Sequence, residues 1–199
     1  MVPGPALVNS RSLAAIHSAL GTLEPLISTL VVATNEPGAT LTIEPGVVVQ
    51  FQASAGNKLN VQGTLSAVGT AEQPITFTGE TATAGSWAGL SIDGSTSEPA
   101  VATLRSVVVE YGGVNGSYGA AISVDRGALT LAHAIVRNGA GSGLYATYRS
   151  APTLDDATFS GNGLDAVRLA SPGGDLPFTN LTASGNGLDA VHVTLPLHA

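Results

Sequence analysis

The heptapeptide Gly161-Asn162-Gly163-Leu164-Asp165-Ala166-Val167 recurs unchanged as Gly185-Asn186-Gly187-Leu188-Asp189-Ala190-Val191, 24 residues further on. A step of the same length backwards reaches Asn138-Gly139, so an Asn-Gly pair stands at 138, 162 and 186. A fixed period in the low twenties restricts a chain to a stack of similar units, because each unit is too small to bury its own apolar face and must lie on its neighbours. Between and beside the pairs lie short β-prone segments: Leu129-Thr130-Leu131, Ala134-Ile135-Val136, Ala157-Thr158-Phe159, Ala166-Val167-Arg168-Leu169 and Leu181-Thr182-Ala183.

These segments alternate apolar and small polar residues, as do Leu41-Thr42-Ile43, Leu59-Asn60-Val61, Ile75-Thr76-Phe77 and Leu90-Ser91-Ile92. The period is 2, that of a strand with one buried face. A leucine-rich repeat would need an LxxLxL frame with Asn at a fixed offset, and no such frame is present. So little chain separates the strands that helical crossovers cannot join them, and parallel pairing has to come from successive turns of one coil about 4.8 Å apart. Asn tolerates the left-handed backbone region and its amide can bond along a stack, while Gly takes positive φ freely. The spacing therefore predicts a structural ladder of Asn138, Asn162 and Asn186 in one column. The expected fold is all-β: a right-handed, single-stranded parallel β-helix of about six to seven coils, at 29–52, 57–79, 87–111, 119–138, 143–162, 166–186 and a partial turn 190–195. Loops at 80–86, 93–101 and 112–118 break the spacing, and insertions of this kind are where a solenoid places binding.

The two ends read differently. Asn9 or Ser10 can cap a helix near 10–20 with Leu13, Ile16 and Leu20 on one face and Gly21 at its stop, so 1–28 is expected to be a lid and 29–199 the solenoid. Ala190 to Leu195 reads as a strand with no cap after it, which predicts either a longer solenoid or an open edge that self-associates. The 14 acidic against 7 basic residues, with Lys58 the sole lysine, give no basic stripe for a phosphate backbone, so no nucleic-acid partner is expected. With no Cys there are no disulfides and no thiolate metal ligands. The opening residues lack a charged n-region before an apolar one, and His17, Glu24 and Pro25 interrupt the apolar stretch 13–33, so neither a signal peptide nor a membrane span is read here.

Upstream of the strict repeat stand Ala39-Thr40-Leu41-Thr42-Ile43-Glu44-Pro45-Gly46-Val47-Val48-Val49-Gln50-Phe51, then Leu59-Asn60-Val61-Gln62-Gly63-Thr64-Leu65, then Gly69-Thr70-Ala71-Glu72-Gln73-Pro74-Ile75-Thr76-Phe77-Thr78. Trp87-Ala88-Gly89-Leu90 and Val107-Val108-Val109-Glu110-Tyr111-Gly112-Gly113 follow. This succession, over about residues 29 to 195, resembles the right-handed parallel β-helix repeat proteins of bacterial surfaces and secretions, which share the pectate-lyase-like superfamily fold. The resemblance implies a secreted or cell-surface location, any leader lying outside these 199 residues. It does not imply one activity, since the superfamily spans pectin-cleaving enzymes, adhesins and surface-layer components.

Residues 24 apart become neighbours on a coil, so Asp165 is expected over Asp189 and Arg168 over His192, with Tyr148 in the same file. Stacked carboxylates beside a basic residue are the arrangement that the resemblance to β-helix lyases, with their Ca²⁺, implies for a cation or polysaccharide face. The competing reading is that a duplicated turn simply carries its Asp twice. Asp155-Asp156 should face opposite sides of a strand unless it bends there, and Glu110-Tyr111 reads as structural. His17, His133, His192 and His198 have no metal-ligand spacing; neither metal nor cofactor is expected, and no hydrolase or nucleotide motif occurs. Trp87, Tyr111, Tyr118, Tyr145 and Tyr148 could stack on sugars, though packing is the better reading of their scattered positions. An ice-binding face would need Thr rows in register, and Thr40/Thr42 and Thr76/Thr78 are not expected to continue into later coils. The preferred function is a non-enzymatic stalk or self-associating fibre unit with adhesive loops; the alternatives are a polysaccharide lyase or hydrolase on a lateral face, or a carbohydrate-binding module using the tyrosines.

Overall fold

The computed structural model describes residues 27–30, 33–114, 119–147, 150–170, 176–188 and 190–194. The helix expected near 10–20 lies outside them. Among the described residues every regular element is a strand. The first circuit is β1 (Ile27–Leu30), β2 (Ala33–Asn35) and β3 (Thr40–Ile43). Two more follow: β4 (Val48–Phe51), β5 (Ser54–Val61) and β6 (Thr64–Val68), then β7 (Ile75–Gly79), β8 (Trp87–Asp93) and β9 (Ala100–Arg105). The fourth and fifth share strands that turn a corner: β10 (Val107–Glu110), β11 (Ala120–Asp125), β12 (Gly127–Arg137), β13 (Ser142–Ala146) and β14 (Ala151–Ser160). The last circuits are β15 (Val167–Ala170), β16 (Phe178–Thr179), β17 (Thr182–Ser184) and β18 (Val191–Thr194).

Each of these strands pairs in parallel with its counterpart one circuit away, which makes the molecule a parallel β-helix. The first face is the seven-stranded sheet β2-β5-β8-β11-β13-β15-β18. The second face runs β3-β6-β9, then the first halves of β12 and β14, then β16. The third runs β1-β4-β7-β10, then the second halves of β12 and β14, then β17. The first described strand starts at Ile27, two residues before the expected 29.

Alternation along each strand fills the interior with files of like side chains. Leu59, Leu90, Ile122, Leu144 and Val167 form one file on the first face, and Val61, Ile92, Val124, Ala146 and Leu169 the next, all buried. On the third face Val49, Phe77, Val109, Val136 and Phe159 do the same. Trp87 is fully buried, stacked on Phe51 with centroids 4.2 Å apart, and its indole N–H donates to the Glu110 carbonyl (2.9 Å). Packing, the reading preferred for this aromatic, is what the geometry gives.

Two corners are made by single left-handed residues. Between the second and third faces stand Ser106 (φ 48°), His133 (φ 49°), Asp156 (φ 51°) and Asn180 (φ 50°); after the third face stand Tyr111 (φ 60°), Asn138 (φ 56°), Gly161 (φ 63°) and Gly185 (φ 62°). One such residue reverses the pleat and redirects the chain with no loop, which is how β12 and β14 serve two faces. The bend at Asp156 is the exception foreseen for Asp155-Asp156, and neither side chain is buried.

The outer side of the second face corrects one expectation. Thr42 does continue: Thr42, Ser66, Thr103, Thr130 and Thr153 stand opposite one another on successive rungs, a five-rung hydroxyl file. Insertions between the strands vary the spacing along the chain and conceal the row.

Candidate functional site

The asparagine ladder sits where the third face passes into the first. Asn162 is 1% exposed; its amide donates to Val136 O (3.2 Å) and Asn186 Oδ1 (3.0 Å), and its Oδ1 accepts the Gly139 N–H (3.0 Å). Asn186 repeats the pattern one rung on, donating to Phe159 O (3.1 Å) and accepting the Asn162 backbone N–H (3.1 Å). The Asn162 amide thus ties three rungs together and that of Asn186 two, and both satisfy backbone groups that the corner takes out of the strand ladders.

Asn138 is not the third member. The offset between β12 and β14 is 23 residues, as in the pair Arg137 and Ser160, so Asn138 falls level with Gly161 and Gly185 at the left-handed position, and Gly139 occupies the ladder column. The expected column of three is a column of two, with Gly139 supplying backbone groups but no side-chain amide.

The lateral face also departs in part from expectation. Arg168 does lie against His192 in register. The tyrosine in that file is Tyr145, directly opposite Arg168, with the guanidinium 5.9 Å from the ring centroid; Tyr148 is outside the described residues. Asp165 is 0% exposed, so it cannot belong to a solvent-facing carboxylate pair, and Asp189 is outside the described residues. Both Asp165 carboxylate oxygens lie without a hydrogen-bond partner among the described residues. The Gly-Leu-Asp turn preceding β15 has no strand alternation to keep the side chain outside.

The outer file of the first face runs Thr34, Asn60, Ser91, Ser123, Tyr145, Arg168 and His192. Beside it stands a carboxylate pair that sequence reasoning missed: Asp93 and Asp125 are opposite one another on adjacent rungs. Arg126 bridges them, with Nη2 2.9 Å from Asp125 Oδ2 and 4.0 Å from Asp93 Oδ1, while Thr147 Oγ1 donates to Asp125 Oδ1 (3.0 Å). Longer connections after β8 and after β10 widen the spacing between these aspartates, so no 24-residue search finds them. The residual signal was the shared wording Ile92-Asp93-Gly94 and Val124-Asp125-Arg126-Gly127.

On the third face Glu110 accepts from Arg137 through Nε (2.9 Å) and Nη2 (2.7 Å) and from Thr78 Oγ1 (3.2 Å), in keeping with its structural reading. At the corner His133 Nδ1 lies 2.9 Å from Asp156 Oδ2, both exposed. No group of three or more His, Cys, Asp or Glu side chains placed to hold a metal ion occurs among the described residues. No helix among them is long and apolar enough to cross a membrane.

Neither the curated proteins nor the solved structures contain a match to this chain. Residues 25–126, about half of the chain, match the pectate-lyase-like β-helix domain. The parallel rungs, the buried files and that match agree, and the chain belongs to the pectate-lyase-like β-helix domain family.

Proposed function

We propose that this chain is a non-catalytic structural module, a rigid segment of a secreted or cell-surface protein that associates through its last described rung with a second copy of itself. The observation that carries the reading is the state of the core files where they reach β18. Val191 continues the file of Leu144 and Val167, and Val193 that of Ala146 and Leu169, yet they are 39% and 47% exposed, and Leu188 beside them is 61% exposed. Positions that are dry on the inner rungs stand wet here, on a strand that pairs on its far side with no other strand among the described residues. A further rung laid on β18 would bury those side chains and extend the sheet in one step. The measurement is light scattering over a concentration series, with negative-stain electron microscopy of concentrated samples. Mass that rises with concentration, or rods longer than one chain, supports the reading; a monomer throughout overturns it.

A second reading, a carbohydrate contact or lyase site on the outer first face, is favoured by the Tyr145, Arg168 and His192 file beside the Asp93, Asp125 and Arg126 cluster. It places two basic groups and two carboxylates over adjacent rungs, with Tyr145 buried beneath the Arg168 guanidinium. Incubation with pectin and alginate while monitoring unsaturated products is the test, and product formation would put this reading first.

A further inference from the structure

Three Asn-Gly steps fall within the described residues, and the rungs hold each in a different degree of confinement. In an Asn-Gly step the glycine nitrogen can attack the side-chain carbonyl carbon of the asparagine, since no Cβ hinders it. The N–H proton passes to solvent base, a bond forms between that nitrogen and Cγ, the Cγ–Nδ2 bond breaks, and ammonia leaves with a proton from water. Water then opens the five-membered imide at either carbonyl, giving aspartate or isoaspartate. The reaction requires a free glycine N–H and a side chain able to turn onto it.

The folded solenoid denies both at Asn162 and Asn186, and the first at Asn138. The Gly139 N–H is held by Asn162 Oδ1 (3.0 Å), the Gly163 N–H by Gly139 O (2.9 Å) and the Gly187 N–H by Asn162 O (2.8 Å). The amide nitrogens of Asn162 and Asn186 are held by the carbonyls of Val136 and Phe159. Release of Asn186 needs only the rung of β17 and β18 to open, and this rung carries the exposed Leu188, Val191 and Val193. Release of Asn162 needs that same rung to go first, because Asn186 Oδ1 clamps both its backbone N–H and its side-chain amide, and then its own rung as well. Release of the Gly139 N–H requires Asn162 to leave. Solenoids open from their ends, rung by rung.

We propose that Asn186 is a modification site, deamidated when the last described rung opens, and that its conversion unlocks Asn162 and then Asn138. An acid at 186 still accepts from Asn162 but has no N–H for the Phe159 carbonyl, against which its charge is now set. In the isoaspartate form, an extra backbone methylene also throws 187–191 out of register with 163–167. The rung therefore closes poorly after reaction, and the order runs in one direction. The identical heptapeptides around 162 and 186 make the pair an internal control, since any difference in their rates comes from the fold.

The test uses the unmodified chain, held at mildly alkaline pH and sampled over time. Trypsin cuts after Arg137, Arg149 and Arg168, which places the three Asn-Gly steps in separate peptides, each scored by mass spectrometry for amide-to-acid conversion and for isoaspartate. Asn186 is expected to convert at least roughly tenfold faster than Asn162, with Asn138 no faster than Asn162. Equal rates at 162 and 186, an earlier conversion at 138 or 162, or an inert Asn186 over a period in which the urea-unfolded chain converts at all three would each overturn the proposal. In the variant Asn186→Asp, conversion at 162 should quicken by roughly tenfold, and an unchanged rate at 162 would overturn the unlocking step.

Discussion

Asparagine at 162 and asparagine at 138 share the next residue and differ in what they hold. Replacing Asn162 by Ala strands the Gly139 N–H and the Val136 carbonyl in a buried corner and removes a partner from Asn186, so a loss of about 2–4 kcal/mol is expected in urea or thermal unfolding. Asn138→Gly, at a left-handed position that Gly161 and Gly185 fill on later rungs, should change stability by less than about 1 kcal/mol. Equal effects at the two sites would contradict the two-member ladder. Asp165 gives a prediction of the opposite sign. With both carboxylate oxygens buried and unbonded among the described residues, Asp165→Asn should leave stability unchanged or raise it by about 1–2 kcal/mol. The repeated Asn-Gly showed in the sequence that a ladder exists. It could not show that Asn138 stands one place early, because the spacing changes from 23 to 24 between adjacent rungs. Nor could it place Asp165, since a Gly-rich turn has no alternation from which to read a side chain's direction.

Strands turn the second corner on Ser106, His133, Asp156 and Asn180, all polar and none of them Gly. At such a position a β-branched residue is strained, so His133→Val is expected to cost about 2 kcal/mol or more in thermal unfolding, whereas His133→Gly should stay within about 1 kcal/mol of the parent. The exposed contact of His133 with Asp156 contributes little to that difference. Parallel pairing and the buried files were legible, because short alternating segments with no crossover helices leave one way to pair. The length of β12 and β14 was not, because a polar residue that bends a strand looks in sequence like one that lies flat on it. The five-rung hydroxyl file and the Asp93–Asp125 pair were hidden for another reason: loops of differing length separate residues that the rungs bring together.

At the scale of the molecule, each inner rung is covered by its two neighbours, and the rung of β18 has exposed core positions. Lysine in place of both Val191 and Val193 should abolish concentration-dependent association while leaving the inner rungs intact, because charge on an edge opposes pairing and desolvation of two ammonium groups opposes stacking. Light scattering of the double variant against the parent is the comparison; association of equal strength in both would remove β18 from the interface. The same linear arrangement makes local disturbances stay local, so changes at 182–194 should leave hydrogen-exchange protection of β8 to β11 unaltered.

The chain has one tryptophan, and it is held face to face with Phe51 and anchored to the Glu110 carbonyl in a dry interior. Its fluorescence is therefore a lamp fixed in the first half of the solenoid, with emission toward the blue for as long as β4, β8 and β10 remain packed around it. Fraying at β17 and β18 would pass unseen in that light while the backbone dichroism fell, so the separation of the two signals on heating measures how independently the two halves melt.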